Sequence, residues 1–196
     1  ALRFMGILAF KSGNHDIAEA MLTRALKQDP TYSLAWANLA QVFSVTGQLD
    51  KAQKSFTNIL KMEPKNGLIW AEYGTVLTKL ANYEDGKDAY LKAIEFKPNS
   101  PRVHLSLGHV YKTIGDIDNS IESYKKTISY NEKSGEAYWS LAKLKTYSFE
   151  DEEIRDMEEK LNSGIPDIER SQMHFALGKA YEVRKDFDNS FLNYSA

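Results

Sequence analysis

The chain has no cysteine among its 196 residues, which excludes disulfides and thiolate metal sites. It contains no apolar stretch approaching the roughly 18 residues needed to cross a membrane, and no leader-like segment at its start. An excess of one charge is missing too. Lys and Arg number 25 against 27 Asp and Glu, a net charge of −2, so there is no basic track for a phosphate backbone. Neither nucleic acid nor membrane is therefore expected as a partner; a cytoplasmic location without cofactor or metal is the accompanying expectation, which the missing cysteines do not by themselves decide. Proline is scarce as well, at five.

Three of those prolines, Pro30, Pro64 and Pro98, stand 34 residues apart. Gly6, Ala40, Gly74, Gly108 and Ala142 keep the same step, as do Leu22, Phe56, Tyr90 and Tyr124. Ala25, Ile59, Ala93 and Thr127 form a further series, and Trp36, Trp70, His104 and Tyr138 share one slot. A fixed period of this length marks stacked helical repeats, each unable to bury its apolar face alone.

The unit at 33–66 shows the physics most clearly. Trp36, Leu39, Ala40 and Phe43 fall on one helical face, since residues three, four and seven apart line up along a helix. Gly47 ends that helix, because glycine takes the left-handed conformation at little cost. Ala52, Phe56, Ile59 and Leu60 form the apolar stripe of a second helix, which Pro64 halts. Ala40 and Ala52 are small enough for close helix approach, and the bulky Phe56 is expected to fill space toward the next unit. Extended along the chain, the pattern predicts helix pairs over 1–12 with 15–28, 31–46 with 49–62, and 65–80 with 83–96. Three more fall at 100–114 with 117–130, 133–147 with 150–162, and 167–184 with 187–196. Ser33, Asp50 and Asp116 lie where N-capping side chains are expected.

These residues resemble the tetratricopeptide repeat. Its aromatic fourth slot, small eighth slot, alanine twentieth slot, aromatic twenty-fourth slot and terminal proline are matched by Trp36, Ala40, Ala52, Phe56 and Pro64. Gly74, Tyr90, Ala93 and Pro98 match in the next unit, where Gly86 replaces the alanine. The resemblance implies an all-α, right-handed α-solenoid of about six helix-turn-helix repeats, used for protein–protein contact. One domain over 1–196 is expected, with repeats near 1–32, 33–66, 67–100, 101–134, a divergent 135–166 and a truncated 167–196.

The period breaks after Ala142, since Gly178 follows 36 residues later. The helix expected between them has an Ile154, Met157 and Leu161 stripe preceded by Glu150, Asp151, Glu152 and Glu153. That acidic run suits a helix start; recruitment of a basic partner is the sharper alternative. From Glu136 onward, the words Tyr-Trp-Ser-Leu-Ala and His174-Phe-Ala-Leu-Gly-Lys-Ala-Tyr are similar to the end of the repeat region in bacterial proteins that join these repeats to a sulfotransferase. That resemblance covers about 60 residues and implies a downstream enzyme domain in a parent chain. It places none of that enzyme's functional residues here.

No catalytic constellation is legible. Gly86-Lys87 and Gly178-Lys179 lack the earlier glycine of a phosphate loop, with Ala81 and Met173 in its place. His104 and His109 lie on different sides of one helix, and His104 and His174 occupy the aromatic packing slot. The carboxylates form no pair held in contrasting environments, as acid–base work requires. This segment is therefore expected not to be an enzyme.

In the family, the first helix of each repeat lines the concave wall. The ninth slot reads Ile7, Gln41, Thr75, His109, Lys143 and Lys179; the thirteenth reads Lys11, Val45, Lys79, Thr113, Tyr147 and Val183. Lys79, His109, Lys112, Trp139, Lys143 and Tyr147 are the candidates for a groove that takes an acidic or extended peptide. The competing reading makes Trp139 a packing residue and leaves the lysines merely solvated. The lysine–asparagine pattern that captures a C-terminal carboxylate is absent, since Arg3, Ile7, Asn38, Leu68 and Glu72 occupy those slots. The leading expectation is an interaction module from a larger bacterial protein, begun inside a repeat. A free-standing scaffold is the alternative, and self-association through uncovered solenoid ends is a third expectation.

Overall fold

The computed structural model describes all 196 residues as helices and turns, without a strand. The helices run α1 Leu2–Lys11, α2 His15–Gln28, α3 Ser33–Val45, α4 Leu49–Met62, α5 Gly67–Lys79 and α6 Tyr83–Phe96. They continue as α7 Pro101–Ile114, α8 Ile117–Tyr130, α9 Gly135–Ala142, α10 Asp151–Leu161, α11 Asp167–Val183 and α12 Phe187–Tyr194. The all-α repeat class expected from the 34-residue step is therefore the observed one. The chain divides into two compact units, Ala1–Pro98 and Asn99–Ala196.

In the first unit, α1–α2, α3–α4 and α5–α6 form three helical hairpins around Leu22, Leu39, Phe43, Phe56 and Ile59. The small eighth slot receives the large twenty-fourth slot of the same hairpin. A Cβ on Gly74 would lie 2.9 Å from the Tyr90 ring, so only glycine lets the two helices come this close. This modifies the expectation that the large residue reaches mainly toward the next unit: it first closes its own hairpin. Trp36 and Trp70 sit in like surroundings one unit apart, their Nε1–H groups donating to the carbonyls of Pro30 (2.9 Å) and Pro64 (2.8 Å).

The turns inside the hairpins repeat as faithfully. Gly13, Gly47 and Gly115 have φ of 78°, 75° and 87°, the left-handed region where a Cβ is costly. Ala81 takes the equivalent place at φ 61° and Lys185 at φ 62°. Capping is more selective than the sequence suggests. Asp116 accepts from the Asn119 N–H, and Asp186 from that of Asn189. Ser33 and Asp50 instead lie within the first turns of α3 and α4, whose N-caps are Tyr32 and Gln48.

In the second unit, α7–α8 and α11–α12 are hairpins of the same kind. Cβ atoms on Gly108 and Gly178 would lie 2.6 and 2.7 Å from the rings of Tyr124 and Tyr194. Ser120 and Ser190 each donate to the carbonyl of the facing glycine at 2.9 Å. Tyr124 is fully buried, which for a side chain of this size contributes about 1.5–3 kcal/mol.

The divergent repeat departs from that plan. Its first helix was expected to reach residue 147, but α9 stops at Ala142. Beyond it Leu144 and Phe149 turn inward and become buried. Arg184 fixes this loop, donating to the Phe149 carbonyl at 2.8 Å and pairing with Asp151. As a result α9 packs mainly on α11 instead of on α10. The approach is close enough that Gly135 N–H donates to Glu169 Oε2 at 2.7 Å.

The displaced α10 buries only Ile154 and Met157. Phenols hold the rest: Tyr138 donates to Asp156 at 2.8 Å, Tyr147 to Glu153, and Tyr181 to Glu158. The acidic run lies at the start of this helix, where Glu153 accepts from the Glu150 N–H at 2.9 Å and complements the helix dipole.

Candidate peptide-binding cleft

Stopping α9 early leaves space beside its end. A cleft of about 550 Å³ opens between the last turn of α9, the loop that follows it, and α11, with Tyr194 of α12 at one side. Trp139, Lys143, Lys145, Tyr147, Lys179 and Val183 are the side chains that give it character. Three lysines line it and no carboxylate does.

Trp139 is half-buried and lies on the wall of the cleft. Its ring packs on Phe175 with centroids 5.5 Å apart, and the Lys143 ammonium lies 5.2 Å from its centroid. Cation–π contacts of this kind contribute about 0.5–1 kcal/mol when exposed. Partial desolvation lowers the Lys143 pKa from the usual lysine value; the neighbouring Lys112 adds to that and Glu136 opposes it. Lys143 makes no ion pair within 4.0 Å, and neither does Lys145; Lys179 pairs with Glu182 at 3.0 Å.

Tyr147 was expected on the helical wall but lies in the loop. It packs edge-on against Phe149 at 5.2 Å, its hydroxyl donates to Glu153, and Lys125 sits 5.0 Å from its ring centroid. Burial pushes its pKa up, and the Glu153 hydrogen bond and charge add to the shift. Its position is thereby fixed.

Trp139, Lys143 and Tyr147 therefore come together, whereas the other three candidates do not line the cleft. His109 on α7 spends both ring nitrogens on neighbours, Nδ1 at 2.9 Å from the Tyr124 hydroxyl and Nε2 at 3.4 Å from Glu136. Its pKa is lowered by burial, which outweighs the Glu136 carboxylate; Lys143 and Lys112 lower it further. Lys112 lies in the last turn of α7, outside the lining of the cleft. Lys79 ends α5 in the first unit. Reasoning by slots missed Lys145 and Tyr194 as lining residues. Lys179 was readable, because it follows Lys143 by the same 36-residue step that links Ala142 to Gly178.

His104 is buried against Tyr130, and His174 faces Asn193 at 2.9 Å. No three His, Asp or Glu side chains converge as metal ligands, and no helix is long and apolar enough to cross a membrane.

Comparison with known proteins identifies the repeat and the fold. Tetratricopeptide repeat family models match residues 9–55, 46–110 and 101–134. The chain belongs to the tetratricopeptide repeat family. No curated protein matches it. Among solved structures it is similar to MamA, with 21% identity, a TM-score of 0.70, and coverage of 93% of this chain and 95% of that one. PilF of Pseudomonas aeruginosa is similar at 21% identity and a TM-score of 0.73, covering 98% and 86%. YrrB, described as a tetratricopeptide repeat protein with an unusual peptide-binding site, gives 17% identity and a TM-score of 0.67, covering 100% and 91%. At these identities the likeness is one of fold. Repeats of this family generally bind proteins or peptides and are generally non-enzymatic.

Proposed function

We propose that this chain is a protein–protein interaction scaffold that holds an extended peptide in the cleft between α9, the 143–150 loop and α11. The observation that carries this reading is a pre-shaped cleft with aromatic and cationic lining, within the roughly 300–1,000 Å³ range of ligand sites. YrrB supports it by analogy, as a protein of similar fold with an unusual peptide-binding site. A peptide-display selection on the 196-residue chain tests it. Enriched peptides should lose binding to the Lys143→Ala/Lys145→Ala variant; equal retention by that variant would place the site elsewhere.

The resemblance that begins at Glu136 supports a finer reading, in which the parent is a bacterial protein whose repeats position a sulfotransferase domain. A strand and glycine-rich phosphate loop encoded downstream would support it, and further repeats or a stop codon would favour the free-standing scaffold. Self-association has its own support. Phe4 and Leu8 on α1, and Phe187, Phe191 and Leu192 on α12, are each about two-thirds exposed or more, as on uncapped repeat ends. Light scattering across a concentration series decides that point.

A further inference from the structure

We infer that this cleft selects acidic peptides, seating a carboxylate between Lys143 and Lys145 and an apolar side chain over Trp139 and Val183. The inference rests on the reading of the cleft as a peptide site and adds the chemistry of its occupant. Charge complementarity carries it. Lys143, Lys145 and Lys179 all line the cleft and no carboxylate does; of the three only Lys179 has an ion-pair partner, Glu182.

The acidic groups nearby are already engaged. Glu153 accepts from the Tyr147 hydroxyl and the Glu150 N–H, with Lys125 at 3.7 Å. Glu182 is held by Lys179 and by the Tyr194 hydroxyl at 3.1 Å. Glu136 faces His109. Lys143 and Lys145 thus have no carboxylate partner of their own, and Lys143 also feels the repulsion of Lys112. An incoming anion relieves that repulsion, whereas an incoming cation adds to it.

The apolar half of the recognition comes from the same wall. Trp139 is half-buried beside Phe175, and Val183 is 55% exposed. An apolar side chain laid on them leaves water while its flanking carboxylates remain at the lysines. The loop that carries Lys145 is pinned by Arg184 at Phe149 and Asp151, so little ordering cost falls on binding.

The test is fluorescence anisotropy on the 196-residue chain at low salt. One labelled peptide carries Asp-Glu pairs on both sides of a single Phe, and a second has Asn and Gln in place of the acids. A third keeps the acids but has Ala in place of Phe. The acidic Phe peptide should bind at least about tenfold tighter than either of the others, and its affinity should fall with added salt. Lys143→Gln/Lys145→Gln should weaken it by about tenfold or more, with the circular dichroism unchanged because both side chains are exposed. Lys61→Gln/Lys65→Gln, in the first unit, should leave it unchanged. Equal binding of the acidic and amide peptides overturns the acidic selectivity while the peptide site stands. Binding of no peptide overturns both readings. Undiminished binding by the Lys143/Lys145 variant overturns the assignment of the anion to this cleft.

Discussion

Replacing Gly135 with alanine probes the contact that sets the second unit apart. A Cβ at this position would lie 2.1 Å from the Glu169 carbonyl oxygen, 2.9 Å from its carbon and 3.0 Å from Gln172 Cβ. Two of these atoms are backbone, so no rotamer change removes the clash. The helices must separate by about 1 Å, and a close-packed interior has no slack to absorb that. Overpacking of this kind costs about 1–3 kcal/mol. Separation also strains the bond from Gly135 N–H to the Glu169 carboxylate, and hydrogen bonds to charged groups contribute about 1.5–3 kcal/mol. Against this, alanine gains at most about 1 kcal/mol of helix propensity over glycine. The net expectation is a loss of about 2–3 kcal/mol. With a urea slope of about 2 kcal/mol/M, the midpoint followed by circular dichroism at 222 nm should fall by about 1 M. Glu169→Ala removes the hydrogen bond without the clash and should cost less than Gly135→Ala. A Gly135→Ala midpoint within about 0.2 M of the parent would refute the argument, since α9 and α11 could not then approach as described.

Two further outcomes follow from local geometry. Ala81→Gly and Lys185→Gly should each raise stability by about 0.5–1 kcal/mol, because both residues hold left-handed angles that glycine adopts freely; an unchanged or lower urea midpoint in both would contradict this. Burial, with neighbouring carboxylates, raises the phenol pKa values of Tyr181 and Tyr194 to about 12 and pushes those of Tyr138 and Tyr147 up as well. A phenol pKa raised in the fold contributes stability below the ordinary value of about 10, and that stability is lost as pH climbs through the folded value. Melting temperature should therefore drop between about pH 10 and 12, with part of the tyrosinate absorbance at 295 nm appearing only in that window. Full tyrosinate titration near pH 10 with the helices intact would count against the phenol–carboxylate contacts.

Most helix limits were legible because the repeat marks them twice, by apolar spacing and by a glycine or proline at the end. Thus α4 begins and ends where the sequence places it, and α3 differs by a residue or two. The end of α9 was hidden for a physical reason. Leu144 and Tyr147 continue the three-residue apolar spacing of a helix, so nothing local stops it. What fixes the loop is Arg184, 35 residues away from the carbonyl it binds. Ala81 escaped notice for a related reason: alanine carries no preference for left-handed angles, and only the hairpin geometry imposes one. For the cleft, slot arithmetic found Trp139, Lys143 and Tyr147 because they belong to the first-helix register or its continuation. It also selected His109 on slot identity alone, although Tyr124 and Glu136 occupy its ring nitrogens. Lys145 had no signal, since it faces the cleft only because the helix has ended before it.

Why α10 is displaced follows from what its sequence lacks. A second helix closes its hairpin by presenting a small residue near its start and a large one a turn later, as Ser120 and Tyr124 do on α8 and Ser190 and Tyr194 on α12. In α10 the register offers only Ile154, Met157 and Leu161 among charged residues, so the small eighth slot at Ala142 has no matching ring. The neighbouring α11 then takes that place against α9, aided by glycine at 135. Left with two buried apolar side chains, α10 depends on directional bonds from Tyr138, Tyr147 and Tyr181. Bonds to carboxylates are more exacting in position than apolar contact. Through Tyr147 the same bonds hold the 143–150 loop, so the loss of one ordinary repeat contact is what shapes the cleft.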